Sequence, residues 1–209
     1  MAILSIDAGT TGVTALVVGR DGGVLGHGYT EFEQHYPEPG WVEHVPEQIW
    51  AAVLNSVKAA IESSNEKPNT IGITNQRETL VLWDKTTLQS VRPAIVWQDR
   101  RTVELGFDGD RVKQISGLPL DPYFTSSKLL WVKRHEPEIW AGVEQGRTVI
   151  GTIDSYVIAR MSGGRHHVTD ASHASRTQLY SLETGDWSDE LLNLFEVPRQ
   201  ALPRIVASY

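Results

Sequence analysis

Residues 3–19 read ILSIDAGTTGVTALVVG, two apolar, β-branched runs separated by a cluster of Asp, Gly and Thr. Runs of this kind read as strands and the cluster as the turn between them, so the chain opens with a β-hairpin. A tight hairpin turn needs only a glycine or an Asn-Gly pair. This one adds Asp7 at the end of the first strand and two consecutive hydroxyls, Thr10 and Thr11. Gly9 and Gly12 would let backbone N–H groups approach an anion, the threonines would donate hydroxyl hydrogen bonds, and Asp7 could hold a divalent cation through water. Two readings stay open: ordinary turn chemistry, or a phosphate cradle with a metal anchor. A strand–GxxxxGK[ST]–helix loop is excluded, because no lysine follows and the next element is again a strand.

The rest of the chain alternates strands and helices. A third strand is expected in VLGHGYTEFEQ (24–34), then a Pro-rich loop with Pro37, Pro39 and Pro46, then a helix over about 46–64. That helix follows from Ile49, Val53, Val57, Ala60 and Ile61 at helical spacing, with Pro46 suited to its first turn. Strands are expected in TIGITNQ (70–76), TLVLWD (79–84) and the short run PAIVW (93–97), the first of them buried. Residues 100–146 read as mainly helical, RTVIG (147–151) as a buried strand, and residues 152–164 as a helix ending at Gly163. A last helix is expected near 189–195, and no internal repeat appears. Three strands, a helix and a strand define an α/β class with a mixed sheet.

Composition narrows the function. A formal charge of -7 and the lack of any basic run with interleaved aromatics argue against a nucleic-acid partner. Cysteine is absent, which removes disulfides, thiolate zinc sites and cysteine nucleophiles and fits a reducing, cytoplasmic setting. The first residues are already a strand, so no secretory leader and no membrane span are expected.

Polar residues gather where strands end. In ITNQRETLVLWD, Arg77 and Glu78 offer a fork of donors beside an acceptor, the pair that a polyhydroxy ligand needs. A solvent-facing ion pair of little energetic weight is the competing reading. In AIVWQDRRT, Trp97 either walls the carbon face of such a ligand or packs in the core, and the polar residues after it repeat the strand-end pattern. Tyr123 precedes a helix whose N-cap is expected to be Ser or Thr, and is either a packing residue or a hydroxyl donor. His166, His167, His173 and Asp170 mix metal-ligand types without metal-ligand spacing. Asp154 is placed at a helix start, and Trp41 and Trp187 in loops that they pin.

Taken in order, DAGTTG, PGWVEH, ITNQRET, AIVWQDRRT, GLPLDPYFTSSKLLW and GTIDSYVIARMSGGRHHVTDASHASRTQLYSL resemble the amino-terminal part of the FGGY carbohydrate kinases, over essentially all 209 residues. YFTSSKLLWVKRH is similar to a general signature of that family, and NQRE to its glycerol branch. The resemblance implies an actin-like, ribonuclease-H-like α/β fold, a mixed sheet flanked by helices, whose opening hairpin holds ATP phosphates. It implies γ-phosphoryl transfer from ATP, with Mg2+, to the terminal hydroxyl of glycerol. It places Arg77 and Glu78 on the glycerol hydroxyls, Tyr123 as a further hydroxyl contact and Trp97 against the carbon chain. Thr10 would reach the transferring phosphate, Gly9, Thr11, Gly12 and Thr14 would line the phosphate loop, and Asp7 would help hold magnesium. Where the family continues this loop with Ser and then Arg, the chain has Gly12 and Thr14, one cationic contact fewer. Residues 1–209 are thereby expected to form the first of two family domains, incomplete at its C-terminal end. The catalytic aspartate and the nucleotide-clamping domain are expected beyond residue 209, which would leave these residues nearly inactive alone. A kinase for another polyol or sugar, a non-catalytic polyol-binding relict, and a homo-oligomeric full-length protein all remain open.

Overall fold

The computed structural model describes residues 2–103 and 109–209. Residues 104–108, part of the stretch expected to be helical, lie outside the described residues. The chain divides into two compact units: residues 1–34 with 44–76, and residues 35–43 with 77–209.

The first unit is a four-stranded sheet with one helix against it. The hairpin forms as expected: β1 (Ile3–Ala8) and β2 (Gly12–Val18) pair antiparallel, from Ile3 opposite Val18 to Ala8 opposite Val13. β3 (Val24–Glu31) adds to β2 with a register shift at Val17 and Val18. The chain re-enters through the two-residue β4 (Glu43–His44) into α1 (Pro46–Ser64), whose bounds match the sequence periodicity. α1 buries Ile49, Ala52, Val53, Ser56 and Ala60, one stripe at spacings of three and four. That stripe lies on β3 at unusually short range. A Cβ placed on Gly28 would stand 2.1 Å from the Ser56 carbonyl oxygen, and one on Gly26 the same distance from that of Ala60. Two glycines at the period of a strand therefore face two residues one turn apart on the helix.

β5 (Thr70–Asn75) then pairs parallel to β1, giving the order β3-β2-β1-β5. Its sequence suggested a buried strand, yet Thr70, Ile71, Gly72 and Thr74 are exposed, Ile71 to 49%. The difference arises because β5 is an edge strand of this sheet, paired on one side only among the described residues.

In the second unit, β6 (Val81–Asp84), β7 (Ala94–Ile95), α2 (Gly109–Ser116), α3 (Thr125–His135), α4 (Pro137–Glu144) and β8 (Thr148–Gly151) surround one apolar core. β6 and β8 pair antiparallel, and Leu80, Leu82, Ile95, Leu129, Leu130 and Ile150 are buried between the layers. α5 (Ile153–Met161), β9 (Val168–Asp170), α6 (Ala171–Ala174), β10 (Tyr180–Ser181), β11 (Asp186–Trp187), α7 (Asp189–Leu194) and β12 (Arg204–Val206) complete it. Gly163 follows α5 at φ 62°, a left-handed conformation that suits glycine. Trp187 belongs to β11 rather than to a loop, and its indole N–H donates to the Pro203 carbonyl at 2.8 Å. No described helix is long and apolar enough to cross a membrane.

Candidate functional site

In the first unit the hairpin tip gathers the predicted anion-binding residues. Alternation along β1 buries Leu4, Ile6 and Ala8 and turns Asp7 outward, where Thr14 of β2 and Thr74 of β5 are its register partners. The exposed Asp7 carboxylate is thus flanked by threonines on both neighbouring strands. Thr10 is half-buried and Thr11 exposed. Gly12 has a further reason to be glycine: a Cβ there would lie 2.7 Å from the Tyr29 hydroxyl and 2.9 Å from the Thr30 carbonyl, both on β3. Beneath the tip, the Gln34 side-chain amide donates to the Thr10 carbonyl at 2.9 Å and that of Gln76 to the Gly9 carbonyl at 3.1 Å. Neither glutamine was singled out from the sequence. Asn75, opposite Ala8 at the end of β5, is buried with neither atom of its amide hydrogen-bonded. Such a group lacks the partner that buried amides ordinarily have.

In the second unit the sequence motif ITNQRET resolves into two unlike residues. Arg77 is exposed. Glu78 is 2% exposed and has φ 64°. The Thr79 N–H donates to the Arg77 carbonyl at 2.8 Å across it, which makes Glu78 the centre of a γ-turn of positive φ, the strained form. The turn is held from outside, because the Thr125 hydroxyl donates to the Glu78 carbonyl at 3.0 Å. The expected ion pair exists with a different partner: Glu78 accepts from Arg176 Nε at 2.6 Å. The Arg176 guanidinium in turn stands 6.0 Å from the Tyr123 ring and 5.1 Å from that of Phe124. Trp97 and Tyr123 are half-buried neighbours, with ring centroids 5.4 Å apart and planes at 59°. Glu78, Trp97 and Tyr123 are therefore brought to one locality, and Arg176 is the member that sequence reasoning missed. Its signal was only an arginine beside a Ser and a Thr in SHASRTQ.

α3 begins differently from the expectation. Its N-cap is Phe124, in extended conformation and without a side-chain cap, because Thr125 already lies inside the helix and spends its hydroxyl on Glu78. Lys128 takes over the tethering of this entry. Its fully buried ammonium donates to three successive carbonyls, Pro122 at 2.6 Å, Tyr123 at 2.8 Å and Phe124 at 3.1 Å. Burial pushes the pKa of Lys128 down to about 7, opposed by the Asp99, Glu78 and Asp121 carboxylates and reinforced by Arg101. In the unfolded chain a lysine titrates near 10.4, so between about pH 7 and 10 the unfolded state holds a proton that the folded state does not. The stability contributed by this group accordingly rises with pH across that window, by up to about 1.4 kcal/mol per unit, and its burial penalty is fully present below pH 7. Urea unfolding of the protein and of Lys128→Met at pH 6.5 and 9.0 reads this directly. The parent should gain on the variant at the higher pH, and an unchanged difference would refute the shift.

The remaining polar motifs serve structure. Asp99 and Arg101 of AIVWQDRRT do not line the Glu78 locality. Asp99 accepts from the Val42 N–H at 2.7 Å and bonds Arg101, which lies 3.7 Å from the Trp41 ring and 2.9 Å from Glu43. Arg92 joins Glu43 at 3.0 Å, so PGWVE is tied down by a buried ionic cluster. A cavity of about 380 Å³ beside it is lined by Arg101, Thr102, Trp131 and His135 and by none of the predicted ligand residues. The histidine cluster also divides: His167 bonds the Ile150 carbonyl at 2.8 Å, and His173 bonds Asp170 at 2.9 Å. Asp154 accepts hydroxyl bonds from Thr152 and Thr169 in the first turn of α5. No three metal-ligating side chains converge among the described residues.

Residues 2–209 match the FGGY family of carbohydrate kinases, N-terminal domain. The glycerol kinase of Thermococcus kodakarensis is 45% identical over 97% of this chain, and that of Gluconobacter oxydans likewise. The chain spans about two-fifths of the length of these curated relatives, 42% and 41% respectively. Among solved structures, glycerol kinase from Plasmodium falciparum with ADP superposes with a TM-score of 0.92 at 31% identity, covering 98% of this chain and 42% of that one. A xylulose kinase from Brucella ovis gives 0.88 at 28%, covering 99% and 43%.

Proposed function

Because the chain belongs to the FGGY family of carbohydrate kinases, with the actin-like, ribonuclease-H-like α/β fold of its sugar-kinase neighbours, we propose that it supplies the polyol-binding part of a glycerol kinase. The reaction is transfer of the γ-phosphoryl group of ATP to a terminal hydroxyl of glycerol. The observation that carries this reading is the Arg77–Glu78 turn. It sets an exposed fork of donors next to a buried carboxylate, and each hydroxyl of a polyol both donates and accepts. Arg77 donates to the glycerol hydroxyls and Glu78 accepts from them. Tyr123 adds a hydroxyl contact, and Trp97 covers the carbon chain. Arg176 supports the choice, since its Nε donates to Glu78 at 2.6 Å and fixes the carboxylate in place as an acceptor.

Phosphoryl transfer asks the protein chiefly for positioning and charge neutralisation. Thr10 reaches the transferring phosphate, and Gly9, Thr11, Gly12 and Thr14 line the loop. The unsatisfied amide of Asn75 beside the tip favours a ligand there. Asp7 fits Mg2+, which takes one or two carboxylates with phosphate oxygens and water rather than an all-protein cage. Bound there, the ion would neutralise phosphate charge. The acceptor of the glycerol proton and the adenosine site are assigned to the part of the relatives' length that this sequence does not span. A cytoplasmic setting is consistent with the absence of cysteine.

A coupled assay of ATP-dependent glycerol phosphorylation tests this, run on the chain and on the protein extended to its relatives' length. Turnover of glycerol, and not of pentuloses, in the longer protein is the expected result. Pentulose turnover alone would move the assignment within the family, and no turnover with any polyol would overturn it.

A further inference from the structure

Two motifs, PGWVEH and the Asn-Gln of ITNQRET, have residues that the reaction does not use, and His44 and Gln76 meet in the first unit. His44 is fully buried, its ring edge-on to Phe32 at 5.1 Å. Gln34 contacts two carbonyls through Nε2, Thr10 at 2.9 Å and Phe32 at 3.4 Å, so this atom is the amide nitrogen and Oε1 is an acceptor. Oε1 lies 2.6 Å from His44 Nε2, which must then carry the proton. His44 Nδ1 is left as an acceptor and receives Gln76 Nε2 at 3.3 Å, whose other N–H goes to the Gly9 carbonyl. The roles of Gln34 Nε2 and Oε1, His44 Nε2 and Nδ1, and Gln76 Nε2 are thereby assigned, in one direction only. The peptides are trans, and a trans peptide points its N–H opposite to its C=O. Drawing the Gly9 and Thr10 carbonyls toward the glutamines turns the N–H groups of Thr10 and Thr11 the other way.

We propose that Gln34, His44 and Gln76 are positioning residues that aim the N–H groups of Thr10 and Thr11 at the phosphates of the nucleotide, with neutral His44, protonated at Nε2, as the central link. This rests on the reading of the hairpin tip as the phosphate site. A chain of fixed hydrogen bonds keeps the loop in its binding shape before the anion arrives, so the benefit falls on the nucleotide and not on the polyol. The same logic explains why a glutamine precedes Arg77: its backbone continues β5 while its side chain reaches back under β1.

The test has two parts. Multiple-bond 15N spectra of His44 in the chain at pH 7 should show the neutral Nε2–H form, and an Nδ1–H or doubly protonated ring overturns the proposal. In the longer protein, His44→Phe and the milder, half-buried Gln34→Met should each raise the KM for ATP about tenfold while the glycerol KM stays within about twofold. Equal rises in both constants, or no rise in either variant, overturn it. If the parent protein lacks ATP-dependent turnover, the phosphate-site reading fails instead. The link is then judged by the 15N spectra and by hydrogen exchange at Thr10 and Thr11, which Gln34→Met should accelerate if the link holds and leave unchanged if it does not.

Discussion

Glu78→Gln should lower kcat/KM for glycerol by about 10²- to 10³-fold in the longer protein while leaving the fold intact. The substitution keeps the shape and the γ-turn but replaces a charged acceptor by an amide. Hydrogen bonds to charged groups are worth about 1.5–3 kcal/mol each, and a site built to accept hydroxyls discriminates by more than one such bond. Glu78→Ala should lose as much activity and also about 3 kcal/mol of stability, because Arg176 then keeps neither a counter-charge nor the acceptor oxygen that glutamine still offers. Glu78→Gly separates the two effects: it is equally inactive, yet more stable than the alanine variant by about 1 kcal/mol, since glycine accepts φ 64° without strain. Steady-state kinetics and urea unfolding of the three variants check this. Activity of Glu78→Gln within about threefold of the parent would remove Glu78 from the polyol contacts.

Gly28→Ala should destabilise the first unit by about 3 kcal/mol or more, the upper end of what one added methyl costs in a packed interior. The reason is the 2.1 Å that separates the new Cβ from the Ser56 carbonyl oxygen, which is helix backbone and cannot rotate away as a side chain would. α1 must lift from β3, and with it the Ser56 hydroxyl that donates to the Val13 carbonyl at 2.9 Å. Gly72→Ala on β5 is the control. Nothing lies within 4 Å of its Cβ, so there alanine should stabilise the strand by about 0.5–1 kcal/mol. Opposite signs for the two variants in urea unfolding are the expected outcome, and equal effects would contradict the packing described.

Local chemistry makes much of this architecture readable in the sequence. The hairpin and α1 are legible because alternation and helical spacing act within a few residues, and Pro46 marks the helix start. The burial of β5 was misjudged for a physical reason: an apolar run fixes that a strand forms, whereas its place at the sheet edge depends on which strands pair with it. Gly26 and Gly28 carried a signal, two glycines at strand period, whose meaning required a helix passing over them. At the candidate site, Arg77, Glu78, Trp97 and Tyr123 were legible as residue types at strand and helix ends. Arg176 was not, being 98 residues from Glu78 and brought to it only by tertiary folding. Lys128 was hidden for another reason, since a lysine inside an apolar helical run reads as a solvated charge until its three carbonyl partners are seen.

The one-sided pairing of β5 bears on how this chain behaves in a tube. Its outer backbone N–H and C=O groups form a template on which a strand from another copy can zip. Natural edges are guarded by charges or prolines within the strand, but Lys67 and Pro68 stand before β5 and leave TIGITN itself bare. Concentrating this chain is therefore expected to favour self-association through that edge, which light scattering over a concentration series checks.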